Sequence, residues 1–117
     1  METANETVGT AKQLVSFGEA SEALKNGKRV ARSGWNGKDI FIFMQVPSSV
    51  NKEIVPKMTS LPQSVKDEFQ RRFDNPNEQI DTICYQNQLA IVYPSNLIYG
   101  WVASPSDILE SDWIVLD

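Results

Sequence analysis

Three tryptophans stand beside polar or small residues: Trp35 precedes Asn36-Gly37-Lys38, Trp101 follows Gly100, and Trp113 follows Asp112. An indole next to glycine, an amide and a cation suits a planar ligand that carries phosphate. The ring stacks on a base, Asn36 reads polar edges, and a Lys or Arg meets the anion. The same ring type also builds cores. Trp113, with Ile114 and Leu116 close by, reads as core, while Trp101, beside Val102 in a strand, is open between core and site. Trp35 lies at a turn with few apolar neighbours and reads as a site residue. Ser104 and Asp107 have the spacing of helix-capping residues, and a helix start with free amides also receives polar ligand groups. Asp107 would repel phosphate but accept hydrogen bonds from ribose hydroxyls. Tyr85, Tyr93 and Tyr99 suit core, interface or stacking roles equally.

What is missing narrows the chemistry. The sequence has no histidine and one cysteine, so a Ser-His-Asp triad and the usual zinc ligand sets cannot be assembled. No glycine-rich phosphate loop of the Walker or Rossmann type is present. Asp81, Asp107, Glu110 and Asp112 leave carboxylate-only catalysis open, but surface carboxylates are commonplace. The expectation is a binding protein, not an enzyme, with no metal and no cofactor. A net charge of -4 argues against a nucleic-acid polymer as partner. Lys25, Lys28, Arg29, Arg32 and Lys38 nevertheless fall in one stretch, which permits a local anion pocket. Cys84, between Ile83 and Tyr85, is expected to be a small buried hydrophobe. No apolar run approaches the ~20 residues that span a bilayer. Met1–Gln13 is polar and lacks the apolar stretch of a signal peptide, which points to the cytoplasm.

The elements that must position these residues are marked by local signals. Residues 1–14 are expected to be a disordered tail, and 15–117 one α+β domain. Ser16-Phe17-Gly18-Glu19 is a capping box; Phe17, Ala20 and Leu24 recur at helical spacing, and Asn26-Gly27 ends a helix over 17–26. A strand at Arg29–Arg32, a turn at Ser33–Gly37 and an almost continuous apolar run at Ile40–Val46 predict a hairpin with Trp35 and Asn36 at its tip. The run is the pattern of a strand covered on both faces. Residues 47–80 are the least regular; Pro62 and the spacing of Val65, Phe69 and Phe73 mark a second helix, stopped at Asn75-Pro76. That segment could pack on the sheet, cover a pocket or meet another subunit. Strands follow at Ile80–Tyr85, Gln88–Tyr93 and Leu97–Ala103, then a short helix capped by Ser104 and a last strand at Trp113–Leu116. The sum is an α+β fold, an antiparallel-rich sheet with two or three short helices.

Three blocks carry a family resemblance. The first runs from Phe17, Ala20 and Leu24 through Gly27-Lys28 and Val30-Ala31-Arg32 to Gly34-Trp35-Asn36-Gly37. The second is Tyr85-Gln86-Asn87-Gln88. The third is Gly100-Trp101, Ser104, Asp107 and Asp112-Trp113. Together, over about residues 16–116, they resemble the Thoeris anti-defence 2 family of small phage and prophage proteins. The resemblance implies a molecular sponge that binds cyclic immune nucleotides and holds them intact. The implied ligand is glycocyclic ADP-ribose, with cyclic oligonucleotides of CBASS systems taken by some members at a separate site. It also implies a homotetramer with pockets at subunit interfaces. By the same resemblance, Trp35 stacks on the base, Asn36 lines the pocket, Phe17 adds an apolar wall, and Arg32 or Lys38 meets the pyrophosphate. Trp101, Ser104, Ser106, Asp107 and Asp112 complete the implied ligand-binding set, the polar ones contacting ribose and adenine edges. The segment between Pro47 and Ile80 varies in length within the family.

Two rival readings differ in class. A protein-binding inhibitor would block a host defence enzyme through acidic and aromatic surface residues. A phosphodiesterase-like enzyme would destroy the signal rather than hold it.

Overall fold

The computed structural model describes residues 13–35 and 39–117. The expected disordered tail falls almost wholly outside them, as do Asn36, Gly37 and Lys38. The chain divides into two compact units, one of residues up to Gln45 together with Gln88–Asp117, the other Val46–Asn87.

The first unit begins with α1, Phe17–Lys25. Ser16 Oγ accepts from the Glu19 amide at 3.1 Å, and Glu19 reaches back to the Ser16 amide at 3.3 Å, so both halves of the capping box form. Asn26 closes the helix, and Gly27 follows at φ 83°, a left-handed conformation that costs glycine little. Ala20, Ala23 and Leu24 point from α1 into the core. Against it lies a five-stranded antiparallel sheet of order β6-β5-β2-β1-β7. Its strands are β1 (Val30–Arg32), β2 (Phe41–Gln45), β5 (Gln88–Val92), β6 (Ile98–Gly100) and β7 (Trp113–Val115). β1 pairs with β2 at Val30 and Ile42, and with β7 from Val30 and Val115 to Arg32 and Trp113. The expected β1–β2 hairpin is therefore present. The strand expected over Leu97–Ala103 is shorter, Ile98–Gly100, with one further bond in the same register from the Trp101 amide to the Leu89 carbonyl at 2.9 Å.

Alternation along the strands sends Val30, Ile42, Ile91 and Trp113 to the α1 side, where they form the core with Ala20, Ala23 and Leu24. Trp113, Val30 and Ile42 are fully buried. A ring the size of Trp113 removes on the order of 200 Å² from water, worth about 5 kcal/mol as an upper figure. The opposite face carries Ala31, Phe41, Phe43, Val92 and Ile114. The expectation of a strand covered on both faces is not met: Ile42 is buried on the α1 side, while Phe41 and Phe43 are only half-buried. The short helix α3 (Pro105–Leu109) leads into β7.

The second unit pairs β3 (Ser48–Asn51) with β4 (Thr82–Tyr85) in an antiparallel ribbon. A 3-10 turn at Val55–Lys57 buries Val55, and α2 (Gln63–Phe73) follows where the spacing placed it. Lys66 Nζ donates to the Pro56 carbonyl at 3.0 Å, tying α2 to that turn. Cys84 is exposed, with Ser49 Oγ and Thr82 Oγ1 each 3.7 Å from its sulfur. The expectation of a buried thiol is thus overturned, because alternation in β4 turns Cys84 outward between the partly buried Ile83 and Tyr85. Together the two units make an α+β fold with mostly antiparallel strands.

Candidate ligand-binding site

Three aromatic side chains gather around Trp113. Trp35 meets it edge-on at 5.8 Å, Trp101 edge-on at 6.0 Å, and Phe17 at 5.5 Å with a tilted geometry. The Trp113 Nε1–H donates to the Asp107 carbonyl at 2.8 Å, so the one polar atom of the buried indole has a partner. Trp113 is core, as its flanks suggested. Trp35 and Trp101 are half-buried against that core.

Beside the aromatic cluster sits a charged one. Arg32, at the end of β1, grips Asp112 with two parallel bonds, Nε to Oδ1 at 3.0 Å and Nη2 to Oδ2 at 3.2 Å. Its Nη1 donates to Asp107 Oδ1 at 3.0 Å and to Ser106 Oγ at 3.1 Å. The Arg32 side chain is 17% exposed and Asp107 14%, so these bonds are shielded from water and salt. The hydrogen bond from Asp112 raises the Arg32 pKa above its already high ordinary value against the opposing effect of burial, and Asp107 adds to the rise. Burial pushes the Asp107 carboxyl up, but the Ser104 amide and hydroxyl and the Arg32 guanidinium together hold it below its ordinary value.

Asp107 is also bound within its own helix. Ser104 Oγ accepts from the Asp107 amide at 3.1 Å, and the Ser104 amide donates to Asp107 Oδ2 at 2.8 Å. Asp107 thus caps α3 with one carboxylate oxygen, meets Arg32 with the other, and receives the Trp113 indole at its carbonyl. Helix capping and site geometry are one construction here.

A concavity of about 630 Å³ opens on the sheet face opposite α1. Its floor is apolar, with Ala31, Phe41, Val92, Ile114 and Leu116, and its rim carries Arg29, Arg32, Ser33, Trp35, Asp39, Tyr93 and Asn96. The volume lies in the range of small-molecule pockets. The small Ala31 lies in its lining between the larger Phe41 and Ile114.

The residues expected to bind ligand therefore fall into distinct sets. Arg32 and Trp35 line the concavity. Phe17 and Trp101 surround Trp113 on the α1 side, their own rings 6.4 Å apart. Ser106, Asp107 and Asp112 engage Arg32, and Ser104 caps α3. Asn36 and Lys38 lie outside the described residues. Reading the sequence missed Arg29, Phe41, Tyr93, Asn96 and Leu116 as pocket residues. Strand alternation gave a signal for Arg29, which shares a face with Ala31 two residues on. Asn96, taken as turn residue alone, does sit at φ 65° in its turn. Among the described residues no cluster of three or more His, Cys, Asp or Glu side chains has the geometry of a metal site. Among them also, no helix is long and apolar enough to cross a membrane.

Residues 15–116 match the family model described as a Thoeris anti-defense 2-like domain. The protein named Thoeris anti-defense 2 from Bacillus phage SP01 is 33% identical over 105 residues, which cover 90% of this chain and 98% of that protein. With the match running from Val15, beside the α1 cap, to Leu116 on the floor of the concavity, the chain belongs to the Thoeris anti-defense 2 family.

Proposed function

We propose that this protein is a phage anti-defence protein that sequesters cyclic immune nucleotides without cleaving them, and so keeps the defence effector from being switched on. The observation that carries the reading is the half-buried Trp35, which borders both the aromatic cluster and the rim of the 630 Å³ concavity. An indole held edge-on against a fixed core is pre-set for stacking, so little ordering entropy is lost when a base docks. The ligand class is glycocyclic ADP-ribose, with cyclic oligonucleotides of CBASS systems as further candidates. Sequestration takes place in the cytoplasm of the infected or lysogenic cell. The assembly is a homotetramer, with the pockets completed at subunit interfaces. Ser104, Ser106, Asp107 and Asp112 then serve the ligand through whichever lone pairs their internal bonds leave over.

A sponge must bind tightly and release slowly, since its effect is mass action on a scarce signal. The test is to incubate protein with glycocyclic ADP-ribose, measure binding by calorimetry, denature the mixture and examine the ligand. Intact ligand recovered in full after tight binding supports sequestration; a cleaved product would establish an enzyme instead. The rival reading of a protein-binding inhibitor is favoured by one observation: Leu97, Ile98, Tyr99 and Val102 are exposed together along β6 and just beyond it. Silence across a panel of cyclic nucleotides, with capture of a host defence enzyme, would favour that rival.

A further inference from the structure

Two arginines reach the rim of the open-face concavity, and their circumstances differ. Arg32 spends its guanidinium on two carboxylates and a hydroxyl, so the positive charge is already more than balanced by Asp107 and Asp112. A phosphate brought to it would meet two negative charges within hydrogen-bond reach of the same group. Arg29 stands on the same strand face as Ala31, and its Nε donates to one carboxylate, Asp117 Oδ1, at 2.9 Å. Its Nη1 and Nη2 have no hydrogen-bond partner among the described residues. That ion pair is 44% exposed on the Arg29 side and 61% on the Asp117 side, the kind of pair that contributes little and exchanges readily. The stem is nevertheless fixed: the guanidinium lies over the Phe41 ring, 5.0 Å from its centroid, and the Arg29 carbonyl accepts from the Leu116 amide at 2.9 Å.

We infer that Arg29 is the anion-contacting residue of the open-face pocket, taking the phosphate of a ligand whose apolar or planar part lies along Phe41, Ile114 and Leu116. The inference rests on the proposed nucleotide-binding reading for the identity of the full ligand, but the anion site is built from Arg29, Phe41 and Asp117 alone. Arg29 presents its planar fork in a position preset by Phe41, which suits two-point contact with phosphate oxygens. Binding exchanges the Asp117 carboxylate for the phosphate, so Asp117 competes with the ligand. Arg32 acts behind this contact, holding Asp107 and Asp112 in place.

The test uses the full chain, inorganic pyrophosphate and glycocyclic ADP-ribose as probes, and two variants of opposite expected sign. Arg29→Gln keeps part of the stem over Phe41 and removes the charge; Asp117→Asn removes the competitor. By calorimetry, Arg29→Gln is expected to weaken the cyclic nucleotide at least about tenfold and to flatten its salt dependence. Asp117→Asn is expected to tighten it by about two- to fivefold. A merely structural role for Arg29 would not give the second result. In parallel, pyrophosphate titrated into labelled protein should shift the Arg29 Nε–H resonance, and more strongly in Asp117→Asn. If the nucleotide binds and neither variant changes its affinity, the Arg29 assignment is overturned and the sponge reading stands. If no cyclic nucleotide binds but pyrophosphate shifts the Arg29 resonance, the anion site stands and the nucleotide reading fails. No nucleotide binding and no Arg29 shift overturns both.

Discussion

The Trp113 indole donates its N–H to Asp107 while its ring is met by Trp35, Trp101 and Phe17, so one side chain orders both the aromatic and the charged cluster. Replacing it by phenylalanine keeps an aromatic but leaves the Asp107 carbonyl without its donor and a void beside the smaller ring. The expected cost is about 2–4 kcal/mol in denaturant unfolding. A change under about 0.5 kcal/mol would mean that the ring is not the packing centre described. Trp35→Ala belongs to the same scale but has two consequences. Nucleotide binding measured by calorimetry should be lost, and stability should fall by about 1–3 kcal/mol, because the ring is half-buried rather than free. A folded variant that binds normally would remove Trp35 from the site.

Among elements, Arg32 is the joint between β1, α3 and the entry to β7. Arg32→Ala leaves two shielded carboxylates facing each other without a cation. The expected loss is about 1–3 kcal/mol, below the figure for fully buried pairs because Asp112 is 29% exposed. The same joint gives stability a pH dependence with a definite sign. The Asp107 carboxyl is held below its ordinary value of 3.8 in the folded chain. Its contribution is therefore complete above that ordinary value and is lost as pH falls through the lowered one. Asp107→Asn should unfold less steeply with acid below about pH 4, while being less stable than the parent at neutral pH. An unchanged acid profile would show that Asp107 is not held this way. How much of this was legible in the sequence follows from separation along the chain. Both capping boxes, the Gly27 stop and the spacing of α2 depend on neighbours within a turn or two, and each was readable. Arg32 finds its partners 74 to 80 residues away, and no local pattern announces them. β3 was not readable either, since Ser48–Asn51 is polar and pairs only because β4 supplies the complementary edge.

For the molecule as a whole, the two units carry different burdens. The aromatic core, the charged joint and the concavity all belong to the unit formed by residues up to 45 and from 88 onward. The Val46–Asn87 unit buries Val55, and its α2 is laced by Glu68 with Arg71 and Arg72. Hydrogen bonds from those two arginines bring the Glu68 carboxyl down to about 2, yet so exposed a network contributes little to stability. Cys84 offers a probe of this unit in the native state. Its exposed thiol should react with a thiol reagent at a rate within about tenfold of the unfolded chain. Much slower labelling would mean that assembly covers β4.

All three tryptophans of the sequence stand in the first unit, linked through Trp113 at 5.8 and 6.0 Å. At such separations the rings exchange excitation before they emit, so the intrinsic fluorescence of the protein is that of one coupled cluster. A docked base beside Trp35 should dim the emission as a whole, without any label. The other unit contributes no indole, and a melt followed at tryptophan wavelengths is blind to it. Such a trace records the unfolding of residues up to 45 and from 88 onward, and only its coincidence with a backbone circular-dichroism melt would make one transition of two units.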